Sequence, residues 1–573
     1  MKQLLTLALA GLLLPAPAFP QTPNLYDVVI DEIMADPSPQ VALPNNEWIE
    51  LKNISTTPFN LQGWKISDRS GQSGPLPNFI LRPDSFLIVC TGSAIVAMSA
   101  FGTTVSVTSF PSLNNSGDQL TIRNAQGKVV HSVNYTDKWY GSELKAGGGW
   151  SLEMIDTRNP CSGSSNWIAS RDTKGGTPGR KNSVDAINAD KTPPRLLRAF
   201  ATDSLNITLV FNEPLDSLNA LHTGNYNISD GIGLPLRADP VPPAFDHINL
   251  RLGRPLVPDK IYSISLQTVT DCSGNSIGAA NNARFGLARR ADSLDLVINE
   301  ILFNPSPTCV DYVEIFNRSL KITDLKNVYI ANRNSAGVIS SITPVSSENY
   351  LFFPGGFIVV TSDAAAVKKN YITLNPDAFS EVVTMPSFNN DKGDVVILGD
   401  QGNILDELQY EDNWHFKLLD NHQGVALERI DQNAPTQSPD NWHSASGSSG
   451  YGTPTFANSQ SRTAEKPAGE VRVSPEIISP DNDGYDDYAT IDYRFPSPGY
   501  VASITIFDAG GRPVRYLQRN ALCGIKGSFR WDGLGEKNQS LPVGIYIIYT
   551  EAFNLDGRKK QFKEAIVLAR KNL

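Results

Sequence analysis

At 573 residues the chain has room for about four domains of ordinary size. Its net charge is −10, from 49 Lys+Arg against 59 Asp+Glu, and no basic run is long enough to neutralise a line of phosphates, so nucleic acid is not an expected partner. Charged residues make up 19%, aromatics 9%, and 44 Gly with 39 Pro supply turns, a mixture that argues against long helices and disorder and for β-sandwiches.

Lys2, the apolar run Leu4 to Leu14 and Ala16-Pro17-Ala18 predict a secretory signal peptide over 1–18, cleaved on export. The run is too short to anchor the chain in a membrane, and no other stretch supplies a span. With no Cys near the cleavage site, no lipid anchor is expected there either. The expected location is therefore the outer cell surface or the medium. Cys90, Cys161, Cys272, Cys309 and Cys523 are scattered and odd in number, so at most one or two bridges are expected. Cys90, inside Phe86-Leu87-Ile88-Val89-Cys90, reads as a small buried hydrophobe rather than a partner of Cys161.

A duplication then organises the chain, with copy 1 over 27–183 and copy 2 over 295–459. Val29-Ile30-Asp31-Glu32-Ile33 is echoed by Val297-Ile298-Asn299-Glu300-Ile301, and Trp48-Ile49-Glu50-Leu51-Lys52-Asn53 by Tyr312-Val313-Glu314-Ile315-Phe316-Asn317. Pro111-Ser112-Leu113-Asn114-Asn115 matches Pro386-Ser387-Phe388-Asn389-Asn390. Tyr135, Asp137 and Trp139 match Tyr410, Asp412 and Trp414. Near the ends, Leu152-Glu153, Asn166-Trp167 and Thr177-Pro178 face Leu427-Glu428, Asn441-Trp442 and Thr453-Pro454. Short alternating apolar runs between Asn, Gly and Pro clusters predict a β-sandwich for each copy. The ordered set of motifs resembles the lamin tail domain, an immunoglobulin-like fold. That resemblance implies an interaction module or an appendage of exported hydrolases.

Between the copies, 190–292 carries Phe211-Asn212-Glu213-Pro214 and Asp271-Cys272-Ser273-Gly274-Asn275. It resembles the bacterial immunoglobulin-like modules of surface-layer proteins, which implies a spacer. Beyond a polar linker at 459–470, the segment 471–573 contains Ser479-Pro480-Asp481-Asn482-Asp483-Gly484-Tyr485-Asp486-Asp487, Trp531-Asp532-Gly533, and a last apolar strand Ala565-Ile566-Val567-Leu568. It resembles the C-terminal domains of gliding motility and type IX secretion, and the immunoglobulin-like domain of flagellar hook-capping proteins. The resemblance implies a sorting or attachment module with outer-membrane secretion machinery as its partner.

The six histidines show no HExxH or HxH spacing and no Cys-x-x-Cys appears, so a zinc site is not expected, and His415 and His422, beside Trp414, read as polar loop residues. No nucleophile elbow or phosphate-cradling loop is present. Glu32 with Glu50, and Glu300 with Glu314, are the carboxylate pairs available for acid-base work, but their duplication at strand positions favours strand-end capping or bonds to backbone. Trp139/Trp414 and Trp167/Trp442 are candidates for sugar stacking or, more simply, core anchors. Asp481, Asp483, Asp486 and Asp487 form the best ligand candidate, because clustered carboxylates repel unless solvent or a hard cation such as Ca2+ offsets them. The expectation is an all-β chain of four tandem immunoglobulin-like β-sandwich domains after a signal peptide. It is read as a non-enzymatic surface or secreted protein for binding, adhesion or spacing, whose partner is a surface protein or polysaccharide. The alternative is an exported hydrolase accessory or a carbohydrate-binding protein.

Overall fold

The structure is a computed structural model that describes residues 22–461 and 469–570. The expected signal peptide at 1–18 lies outside the described residues. The chain divides into two units, Met1–Leu256 with Ile261–Phe285, and Val257–Lys260 with Gly286–Leu573. Both are built of short antiparallel sheets, and the chain is all-β with tandem immunoglobulin-like sandwiches. Among the described residues no helix is long and apolar enough to cross a membrane.

In the first unit, copy 1 packs a six-stranded sheet against smaller ones. The sheet runs Trp167–Ala169, Leu152–Met154, Val28–Met34, Trp48–Asn53, Phe86–Thr91 and Thr104–Val107. Its last two strands are parallel, joined through the short helix Ile95–Met98. Val28–Met34 is buried at all seven positions, as a strand covered on both faces must be. Ile30, Ile33, Ile49, Leu51, Leu87 and Val89 point into the sandwich core, while Met34, Trp48, Ile88 and Cys90 form a second cluster on the opposite face. Glu32, Glu50 and Glu153 share that opposite face. The strands Leu196–Ala201, Asn206–Phe211, His247–Arg251 and Arg237–Pro240 form a further sheet in this unit, beside Tyr226–Ile228, Tyr262–Leu266 and Asn282–Phe285. A disulfide joins Cys161 to Cys272, 111 residues apart. Closing a loop of about 100 residues removes unfolded-chain entropy worth about 4 to 5 kcal/mol. The motif spacing had not singled out this pair. Cys90 is a free, buried thiol, as its apolar run suggested.

The second unit repeats the plan with Phe379–Glu381, Phe357–Thr361, Tyr312–Asn317, Leu296–Leu302, Leu427–Arg429 and Trp442–Ser444. Its C-terminal part sets Glu470–Ser474, Ala489–Arg494 and Lys526–Trp531 against a five-stranded sheet of Ile477–Ile478, Lys559–Leu568, Gly544–Asn554, Tyr500–Asp508 and Pro513–Cys523. Along Gly544–Asn554 burial alternates, and Tyr546, Ile548 and Ala552 enter the core that also holds Trp531. The residues read as the start of a polar linker are packed: Gln460 is fully buried and donates to Ser444 O, and Ile525 N–H donates to Ser459 O. Phe416, Val501 and Leu522 form an apolar cluster between copy 2 and the C-terminal strands.

Candidate functional site

The duplicated acids meet in the middle of the six-stranded sheets rather than at strand ends. Glu32 is directly opposite Glu50 on one neighbouring strand and Glu153 on the other. In copy 2, Glu300 is opposite Glu314 and Glu428. All six are fully buried. Like charges facing one another across strands repel, so a partner must offset them. The partner is the segment that closes each copy.

In copy 1, Thr177 N–H donates to Glu32 Oε1 at 2.7 Å, and Gly179 N–H donates to Glu50. Ser183 Oγ and Val184 N–H donate to Glu153 Oε2 at 2.7 and 3.1 Å. In copy 2, Thr453 N–H donates to Glu300 Oε1 at 2.9 Å, Thr455 N–H donates to Glu314, and Gln460 N–H donates to Glu428 Oε2 at 2.9 Å. The acids thus strap the C-terminal segment of each copy over the outer face of its sheet. Sequence reading paired only two acids in each copy. The third, Glu153 or Glu428, was visible in the repeated Leu-Glu motif, but its pairing spans too many residues to be read from spacing.

Burial first, then the neighbouring Glu153, pushes the Glu32 carboxyl up to about 8. Burial and then Glu300 do the same to Glu428, also to about 8. Burial also raises Glu50, Glu300 and Glu314, and lifts Asp31 to about 7. Geometry supports protonation independently in copy 2. Thr453 Oγ1 is 2.6 Å from Glu300 Oε2 and 2.8 Å from Glu428 Oε1, and one hydroxyl hydrogen serves only one of them. The other short bond needs a carboxylic O–H. In both copies the closing segment bonds the acids on the outer face of the sheet.

The aromatic candidates are also structural. Trp167 and Trp442 are buried, and Trp139 and Trp414 are half-buried against the same cores. They form no exposed row on which a sugar could stack. The reading of His415 as a polar loop residue is corrected: it is buried at 3% exposure, whereas His422 is partly exposed.

In the acidic loop the structure brings Asp481, Asp483 and Asp487 together, with one carboxylate oxygen of each within 4.8 Å of the others. Asp486 stands outside this group and instead accepts the Ser479 N–H through its carbonyl at 2.8 Å. Asp487 already receives the N–H groups of Asp481, Asn482 and Gly484, at 3.1, 2.7 and 2.9 Å, so it shapes the loop whatever else it binds. Asp190, Glu213 and Asp271 form another carboxylate trio in the first unit.

The family model of the lamin tail domain matches residues 21–137, overlapping the first part of copy 1. No curated protein matches the chain. Among solved structures it is similar to the N-terminal part of the bacterial S-layer protein SbsC, at 15% identity and TM-score 0.16, covering 29% of this chain and 40% of that one. The chain therefore spans less than half the length of that protein. It is also similar to a DUF4876 family protein from Bacteroides thetaiotaomicron, at 13% identity and TM-score 0.18 over 37% and 83% of the two chains. A third likeness is to PorZ, a surface component of the type IX secretion system of Porphyromonas gingivalis, at 10% identity and TM-score 0.16 over 80% and 69%. Likenesses at these scores say nothing about what this chain does.

Proposed function

We propose that this is an exported, non-enzymatic, multidomain protein of the cell surface or medium, whose tandem sandwiches space and present binding faces and whose segment 471–573 sorts or attaches it. The observation that best supports the reading is the enclosure of its most chemically distinctive groups. Glu32, Glu50 and Glu153, with Glu300, Glu314 and Glu428, are fully buried and bonded to their own closing segments. A screen of glycosidase, nuclease, phosphatase and esterase substrates tests this, and turnover that is lost in Glu50→Gln or Glu314→Gln overturns it.

Two features favour a sorting role for 471–573. It has its own core, and the strand Pro513–Cys523 lies at the edge of its sheet, where another chain can add. Its recognition partner would be outer-membrane secretion machinery. Deleting 471–573 and fractionating the cells decides the matter: accumulation in the periplasm supports the role, and full-level arrival at the surface or in the medium refutes it. We further propose Asp481, Asp483 and Asp487 as calcium ligands, with Asp486 as a supporting loop residue. Calcium should then slow amide exchange across 479–488, and Asp483→Asn should abolish the effect; no change on adding calcium counts against the site.

A further inference from the structure

We propose that copy 2 carries a site for a divalent transition-metal ion of the zinc type, with His415 Nε2, His422 and Asp412 as its protein ligands. The ligands stand on two consecutive segments. A 3-10 turn over Asp412–Trp414 sets Asp412 and His415 one turn apart, and His415 N–H donates to Asp412 O at 3.1 Å. A loop then returns His422, pinned where Gly424 N–H donates to Asn304 O and Tyr371 Oη donates to Gly424 O. One ligand atom from each of the three side chains lies within 4.8 Å of the others. The imidazole centroids of His415 and His422 are 4.6 Å apart. Rings bound to one ion at about 2.0 to 2.1 Å through nitrogen can sit at that separation.

The second observation is an orphaned atom. His415 Nδ1 lies 2.9 Å from Ser444 Oγ, while His415 Nε2 is buried without any hydrogen-bond partner among the described residues. Ser444 Oγ also accepts the Phe416 N–H at 2.9 Å, and in the His415 tautomer whose Nδ1–H donates to the same oxygen the Nε2 lone pair is left for an ion, as when a ligating histidine is oriented by its other nitrogen. Leaving such an atom buried and unpaired carries its full desolvation penalty. His422 Nδ1 is 2.9 Å from Asp412 Oδ1. That contact holds the two ligands side by side, and three protein ligands leave a fourth position for water. Two imidazoles and one carboxylate suit zinc, copper or nickel rather than calcium or magnesium.

Copy 1 is the internal control. From Tyr135 to Glu153 and from Tyr410 to Glu428 the copies align without a gap, which sets Tyr140 against His415 and Gly147 against His422. Ser444 stands where copy 1 has Ala169. Copy 1 therefore keeps the fold and the aspartate, Asp137, but has neither imidazole nor the hydroxyl that orients one. Both ligands and their orienting group are specific to copy 2.

The test is a calorimetric titration of the tag-free, chelator-treated full chain with Zn2+, repeated with Co2+ to read visible absorption. One site per chain is expected, lost or weakened about 100-fold in His422→Ala and about tenfold in Ser444→Ala. His247→Ala, which removes a histidine of the first unit, should leave it unchanged. Asp412→Asn is the second variant, used if His422→Ala fails to fold, and it should weaken binding by at least tenfold. Absence of Zn2+ binding, or binding of equal strength in His422→Ala, overturns the proposal. Neither result bears on secretion or on the reading of the chain as a scaffold.

Discussion

The two copies hold the same strand in place with different chemistry. The backbone N–H of Ile30 in copy 1 donates to His131 Nδ1 at 2.9 Å; its counterpart Ile298 in copy 2 donates to Asp406 Oδ2, also at 2.9 Å. Arg429 stands beside this acceptor in copy 2, its guanidinium 3.3 Å from Asp406 with both side chains buried, and its counterpart in the sequence of copy 1 is Met154. A neutral imidazole needs no counter-ion, so an apolar side chain suffices at that position. A buried carboxylate needs one, so an arginine replaces the methionine. Either mixed combination would bury an unsatisfied group.

Breaking copy 2's pair should have the largest effect. Arg429→Met strands Asp406 and is expected to cost about 3 to 5 kcal/mol, read from denaturant unfolding of the second unit's signals. Adding Asp406→His to that variant copies the chemistry of copy 1 and should recover a large part of the loss. A double variant no more stable than the single would show that the acceptor and its neighbour are not exchanged as a unit.

The closing straps differ next. Gly179 has φ +79, and a Cβ added there would lie 2.7 Å from Gly102 Cα. Its counterpart Thr455 adopts φ +78, a left-handed conformation that β-branched residues rarely take. Copy 2 accommodates it with the longer loop 371–378, from which Asn375 N–H donates to Thr455 Oγ1 at 3.1 Å and Asn375 Nδ2 donates to Thr455 O at 3.0 Å. Gly179→Ala should therefore cost more than about 2 kcal/mol. Thr455→Ala should cost less, since the strain is already present and only the hydroxyl contact is lost. Equal costs at the two sites would remove loop 371–378 from the explanation.

The residues that made these differences are unevenly legible. The repeated Val-Ile-Asx-Glu-Ile and Leu-Glu motifs mark strands because apolar residues at sheet spacing must be buried, and that reading carried the sandwich fold. The strap was not legible: Thr177 meets Glu32 across 145 residues, and no local pattern encodes such a contact. Cys161 and Cys272 were equally remote from one another in sequence. His415 was misread for a related reason. Its environment comes from Phe303, Ser444 and His422 on separate segments, and a search for short histidine spacings cannot find it.

The response of the straps to alkali is where the copies should agree. A carboxyl raised from its ordinary 4.5 to about 8, as Glu32 and Glu428 are, binds its proton more tightly in the folded state. Its contribution is then fully present below about pH 4.5 and is lost as pH rises through 8, because the folded chain must release a proton the unfolded chain has already lost. One such group changes stability by at most about 1.4 kcal/mol per pH unit between those limits. Amide exchange of Val28–Met34 and Leu296–Leu302, corrected for its intrinsic pH dependence, should show both strands losing protection from pH 5 to about 8. Glu32→Gln should flatten the slope in the first strand alone, and Glu428→Gln in the second alone. A slope unchanged by either variant would mean that the straps are held by ionised carboxylates, and that the single hydroxyl of Thr453 does not bridge an acid and its conjugate base.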